Sequence, residues 1–127
     1  MTATISNRQA RRRLLALTGL DGGRAGPMRR PELAAMVRDL GYVQVDSVNV
    51  LERAHHHILF SRGRGYRRRD LAALVEKEAS LFENWTHDAS IIPSDFFPYW
   101  RHRFAREKAR LRERWKEHFG MEGFDRD

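Results

Sequence analysis

Glycine punctuation is the strongest constraint on this chain. Seven of its nine glycines, at 19, 22, 23, 26, 41, 63 and 65, fall within the first 65 residues and interrupt the apolar periodicity there, so that stretch holds short helices joined by loops. Ser6 predicts the cap of a first helix running to about Thr18, with Ile5 before it, Leu14, Leu15 and Leu17 on its apolar face and Gly19 closing it. Residues 21–28 read as a loop. Pro31 opens a second helix with Leu33, Met36, Val37 and Leu40 on one side, and Gly41 stops it. Tyr42 to Asp46 alternates with period two, which fits a short strand or an extended linker. A third helix is expected from about Val48 to Phe60, its start within reach of a cap from Asp46 or Ser47. It would place Val48, Leu51, His55 and Ile58 on one face and Asn49, Arg53 and His56 on another. Residues 62–66 form a glycine-rich basic loop, and Asp70 to Ala79 reads as a fourth helix with Leu71, Leu74 and Val75 inward. Leu81 to Trp85 reads as a strand. Pro93 and Ser94 introduce a long final helix, along which Phe97, Trp100, Phe104, Leu111 and Trp115 recur at spacings of three, four and seven.

The expected fold class is therefore mainly α with short β-strands. A winged-helix-like domain is expected over residues 1–66, with its wing near Arg62 to Tyr66. A helix-strand segment and a long C-terminal helix follow over residues 67–127, all within one compact unit. In such a fold one helix docks on DNA and the wing touches the backbone. Arg53, Arg62, Arg64, Arg67 and Arg68, with Tyr66 among them, are the candidate DNA contacts, although the same run also reads as a solvated charged surface.

Charge points the same way. Lys and Arg number 24 against 17 Asp and Glu, a net charge of +7. That excess suits a polyanion, nucleic acid first and an acidic membrane surface second, because cationic side chains gain affinity by displacing counterions from phosphates. It also serves solubility. The absence of cysteine excludes disulfides, a thiolate nucleophile and Cys-ligated zinc, and fits a reducing cytoplasm, the expected location. Leu14 to Leu20 is too short and too interrupted to cross a bilayer, so neither a signal peptide nor a membrane segment is expected.

Gln44 and Asp46 stand two apart, so on an extended strand both side chains leave the same face and converge on one water or substrate atom. A carboxylate there accepts a proton from water or stabilises a developing oxocarbenium ion, while a carboxamide holds the water as both donor and acceptor. By spacing alone the pair reads more readily as a helix cap and an exposed strand residue. His56 shares its helical face with Asn49 and Arg53, and together with Trp85 and His87 these are candidates to line a cleft. The Trp85 and His87 pair also fits a core tryptophan beside a satisfied histidine. His55, His56 and His57 do not form a metal site, since adjacent helical side chains diverge by roughly 100°. His55 is expected to pack inward, and no cofactor is expected.

The string VQVDSVNVLERAHHHILFSRGRGY, followed by LFENWTHDASIIP, closely resembles the N-terminal part of the YcaQ-like (AlkX) bacterial interstrand-crosslink DNA glycosylases, relatives of the azinomycin-resistance glycosylase AlkZ. The resemblance runs from about Leu40 to Arg103. It implies a monofunctional glycosylase that hydrolyses the N-glycosidic bond of N7-alkylated or crosslinked guanine in double-stranded DNA. Asp46 would be the general base or electrostatic stabiliser, and Gln44 would position the water. The chemistry of the residues agrees: the base is cationic once alkylated and leaves readily, so a positioned water and nearby negative charge suffice. None of the three lysines, Lys77, Lys108 and Lys116, lies in the matching strings, which favours hydrolysis over a Schiff-base lyase.

The resemblance also implies tandem winged-helix domains and a small β-rich domain, beyond what this chain holds. Apolar surface on the final helix is then expected to meet a missing domain or a second copy. Two further readings stand beside the enzyme. One is a non-catalytic winged-helix DNA-binding regulator, with Gln44 and Asp46 as cap and surface residues. The other is an inert fragment that folds only with its remainder.

Overall fold

The computed structural model describes residues 4–22, 26–46 and 51–119, and the chain divides into two units, Met1–Ser94 and Asp95–Asp127. The fold is mainly α with short β-strands and a long C-terminal helix, as expected, and its strands form a small three-stranded antiparallel sheet.

In the first unit, α1 spans Asn7–Leu17. The Ser6 hydroxyl accepts from the Gln9 N–H at 3.3 Å, and the Gln9 carboxamide oxygen accepts the Ser6 N–H at 2.9 Å, a reciprocal cap. The apolar face expected to point inward is not covered: α1 buries no residue, and Leu14, Leu15 and Leu17 are exposed. What fastens the helix is its end, where Thr18 offers its carbonyl to Arg62. Helix α2 (Arg30–Leu40) behaves as its pattern demands, with Pro31 in its first turn and Leu33, Met36 and Val37 buried. Gly41 ends it at φ +85°, a conformation that costs a residue with a Cβ.

Strand β1 is only Val43–Gln44, yet the extended chain reaches one residue further, because the Val45 N–H donates to Ala89 O at 2.7 Å. Helix α3 spans Ala54–Phe60 with Arg53 as its N-cap, shorter than the expected Val48 start. Asp46 therefore does not cap it. Leu51, expected on its inner face, precedes it and is 90% exposed. Helix α4 covers Arg68–Glu76 and buries Leu71 and Leu74.

Strands β2 (Leu81–Trp85) and β3 (Ala89–Pro93) form a hairpin, and β3 lies between β1 and β2. β3 had no counterpart in the sequence reading, which took Pro93 as the opening of a helix. The physical reason is that Ser90 to Pro93 are all buried, so a central strand covered on both faces shows no alternation. With β3 in place, the order α2, β1, α3, α4, β2, β3 and the sheet order β1-β3-β2 make a winged helix. Its wing is the Thr86–Asp88 turn. Residues 62–66, expected to be the wing, instead join α3 to α4, where Arg64 O accepts the Met28 N–H at 2.8 Å. The boundary expected between residues 66 and 67 accordingly falls inside the first unit, between α3 and α4.

The core sits where α2, α3 and α4 meet the sheet, with Leu33, Val37, Val43, Leu59, Leu74 and Leu81 almost fully enclosed. Each such side chain contributes about 1.5–3 kcal/mol by leaving water.

The second unit begins in a 3-10 turn that ends at Phe96, followed by α5 (Phe97–Phe119), 23 residues or roughly 34 Å long. Eight of those residues are Lys or Arg against three Glu. The Phe97 and Phe104 rings pack at 5.3 Å, seven residues apart, while Leu111 and Trp115 on the same stripe are exposed. Among the described residues no helix is long and apolar enough to cross a membrane.

Candidate active site

The site begins with an anchor. Val43 is buried in the core and pairs with Ile91, while Val45 also packs on the core. Strand alternation turns Gln44, between the two valines, to the opposite side, and the extended chain runs on to Asp46. Gln44 pairs with Ser90, which in turn pairs with Asn84, so these three form one rank across the sheet. Gln44 is exposed, and its carboxamide has no hydrogen-bond partner among the described residues.

Ser90 beside it is fully buried, and its hydroxyl is satisfied by Asp88 O at 3.0 Å and Thr86 Oγ1 at 2.8 Å. The Thr86 N–H also donates to Asp88 O at 2.9 Å. Ser90 thus ties the rank that holds Gln44 to the tip of the wing.

Asp46 lies one residue past the last ladder bond and is half-buried. Its N–H donates to His55 Nδ1 at 3.4 Å. His55 comes from the buried face of α3, four residues before Leu59, and is only 5% exposed. Burial lowers its pKa to about 4, helped by His56 and Arg53 and opposed by Asp46. The ring is therefore neutral at neutral pH, with Nδ1 as acceptor and its proton on Nε2. Its centroid is 4.0 Å from that of His56, whose Nδ1 meets the Tyr66 hydroxyl at 2.5 Å. Burial also lowers the His56 pKa, with Arg53 and His57 adding to it, and pushes the Tyr66 phenol up.

Other expected site residues scatter. Asn49 lies outside the described residues, so the face it was to share with His56 and Arg53 has only its other two members on view. Arg53 is the exposed N-cap of α3, and His56 is half-buried against Tyr66. Trp85 is 61% exposed and pairs with Ala89, which puts it on the Val45 side of the sheet, opposite Gln44. It lines a shallow depression with Val45, Glu83 and Ala89. His87 is exposed on the wing turn rather than beside Trp85 on a strand.

Two expected DNA contacts are committed elsewhere. Arg62 donates to Thr18 O at 2.7 Å and to Ile58 O at 2.8 Å, and partial burial lowers its pKa. Tyr66 is half-buried, packs on the core and bonds His56. Arg64, Arg67 and Arg68 are exposed, Arg67 as the N-cap of α4 and Arg68 paired with Glu52. Sequence reasoning missed the bond from His55 to Asp46 and the role of Ser90. The inward position assigned to His55 was the only signal for either.

A family model described as DNA glycosylase AlkZ-like matches residues 37–127, a span that includes Gln44, Asp46 and every element from β1 onward. No solved structure matches the chain.

Proposed function

Because the chain belongs to the AlkZ-like DNA glycosylase family, we propose that the Gln44 and Asp46 end of β1 hydrolyses the N-glycosidic bond of N7-alkylated guanine, crosslinked guanine included, in double-stranded DNA. The observation that carries this reading is the exposed Gln44 carboxamide, two residues from Asp46 on a strand end fixed by Val43. Gln44 donates to and accepts from one water, while Asp46 receives its proton or faces the positive charge developing on the sugar. Water oxygen bonds to C1′ as the N9–C1′ bond breaks. The bonding pair neutralises the departing cationic base, and the sugar keeps a hydroxyl at C1′. Net, one water is consumed and one proton released.

DNA is held, in this reading, by the exposed arginines at the start of α4 and by the wing. Exposed Leu111 and Trp115 on α5 offer apolar surface to a second copy or a further domain, a question for sedimentation velocity. The test of activity is base release from a duplex with one N7-methylguanine. Release by the unaltered chain that is abolished in both Asp46→Asn and Gln44→Ala supports the reading. Intact, salt-sensitive DNA binding without release instead favours the non-catalytic winged-helix regulator, for which the arginines of α4 are the supporting feature.

A further inference from the structure

Backbone pairing along β1 ends before the chemistry does. The last ladder bond is Val45 N–H to Ala89 O at 2.7 Å, and the next N–H, that of Asp46, is taken by the His55 ring at 3.4 Å. The direction of the Asp46 Cα–Cβ bond follows from its backbone, so a group that holds that N–H narrows where the carboxylate can stand. We propose that His55 is a positioning residue for Asp46, its unprotonated Nδ1 extending the sheet's hold on the strand by one residue. This rests on the glycosylase reading of Gln44 and Asp46.

The surroundings of the ring suit that task. His55 is buried on the same helix face as Leu59, and its ring lies against His56, which is held in turn by the Tyr66 hydroxyl. Two helix residues and one loop residue thus fix an acceptor facing the strand. An imidazole accepts at Nδ1 only when neutral, and burial keeps it so at neutral pH. A leucine would fill similar volume without an acceptor. An asparagine places its Oδ1 near the position of Nδ1, which separates packing from hydrogen bonding.

The test combines two readouts on the full chain. Without substrate, nitrogen NMR of the imidazole should show the Nε2–H tautomer, and the Asp46 amide should exchange with solvent at least about tenfold faster in His55→Leu while Val45 is unchanged. With a duplex holding one N7-methylguanine, His55→Leu should lower the single-turnover rate constant about 10- to 100-fold at unchanged DNA affinity, since small displacements of a reacting group carry costs of that order. His55→Asn should recover most of the rate.

An Asp46 amide indifferent to His55→Leu, or full rate in that variant, would overturn the proposal. So would an asparagine variant as slow as the leucine one, which would assign the loss to packing. Absence of base release from the unaltered chain would overturn the glycosylase reading instead, and the exchange data would then decide the His55 bond by themselves.

Discussion

Two turns of this molecule compete for the role of wing, and they use their residues in opposite ways. The Arg62 to Tyr66 loop, rich in arginine and glycine, is sewn into the fold: Arg62 reaches Thr18 O and Ile58 O, Arg64 O holds Met28, and Tyr66 holds His56. The Thr86–Asp88 turn carries no arginine, yet it caps the hairpin and leaves Trp85 and His87 outside. A charged side chain in a sequence does not say whether its hydrogen bonds go inward or outward. Carbonyls at helix ends have no partner within the helix, and an arginine that finds two of them becomes structural.

The largest effect that could break this contrast is on stability. Arg62→Ala should cost about 2–3 kcal/mol, since it removes two charge-assisted bonds and frees the end of α1, and should leave DNA affinity nearly unchanged. Denaturant melts beside binding isotherms would show it. Lost affinity at unchanged stability would return the loop to the DNA.

Next comes a pH dependence on the same side of the fold. Unfolded His55 titrates near 6.5 and folded His55 near 4, so between these values the unfolded chain binds a proton that the folded chain refuses. Stability should therefore fall as pH drops from about 6.5 toward 4, and His55→Leu should flatten that part of the curve. Thermal midpoints across the window check the sign.

The smallest stability change belongs to the wing. Trp85→Ala should alter the unfolding free energy by no more than about 0.5 kcal/mol, as exposed positions do, while weakening DNA binding several-fold. A large loss of stability would mean that the wing, too, is built inward.

What was legible in the sequence follows the same division. Helix α2 was readable because Pro31, Gly41 and the Leu33, Met36 and Val37 stripe are local signals that all agree. Gln44 and Asp46 were readable because a period of two survives in the few residues of a half-exposed strand. β3 was not, because burial on both faces erases the period. The start of α3 was misplaced, since Val48, Leu51, His55 and Ile58 have the spacing of a helical face whether or not that face is buried, and Leu51 is in solvent. The bond from Asp46 to His55 spans nine residues and two elements, and no local pattern encodes it. Thus the Gln44 and Asp46 pair was visible in the sequence, whereas the bond that holds the Asp46 N–H required the fold.

In the proposed reading the end of β1 carries the chemistry and the exposed arginines carry the binding, so the two separate by mutation. The single-turnover rate of base release, measured beside the Kd for an N7-methylguanine duplex in Asp46→Asn and in Arg67→Ala, shows whether they do. Asp46→Asn is expected to lower the rate about 10²- to 10⁴-fold with Kd within about threefold, and Arg67→Ala to weaken binding with little change in rate at saturation. An Asp46→Asn protein that releases base at the unaltered rate would contradict the account.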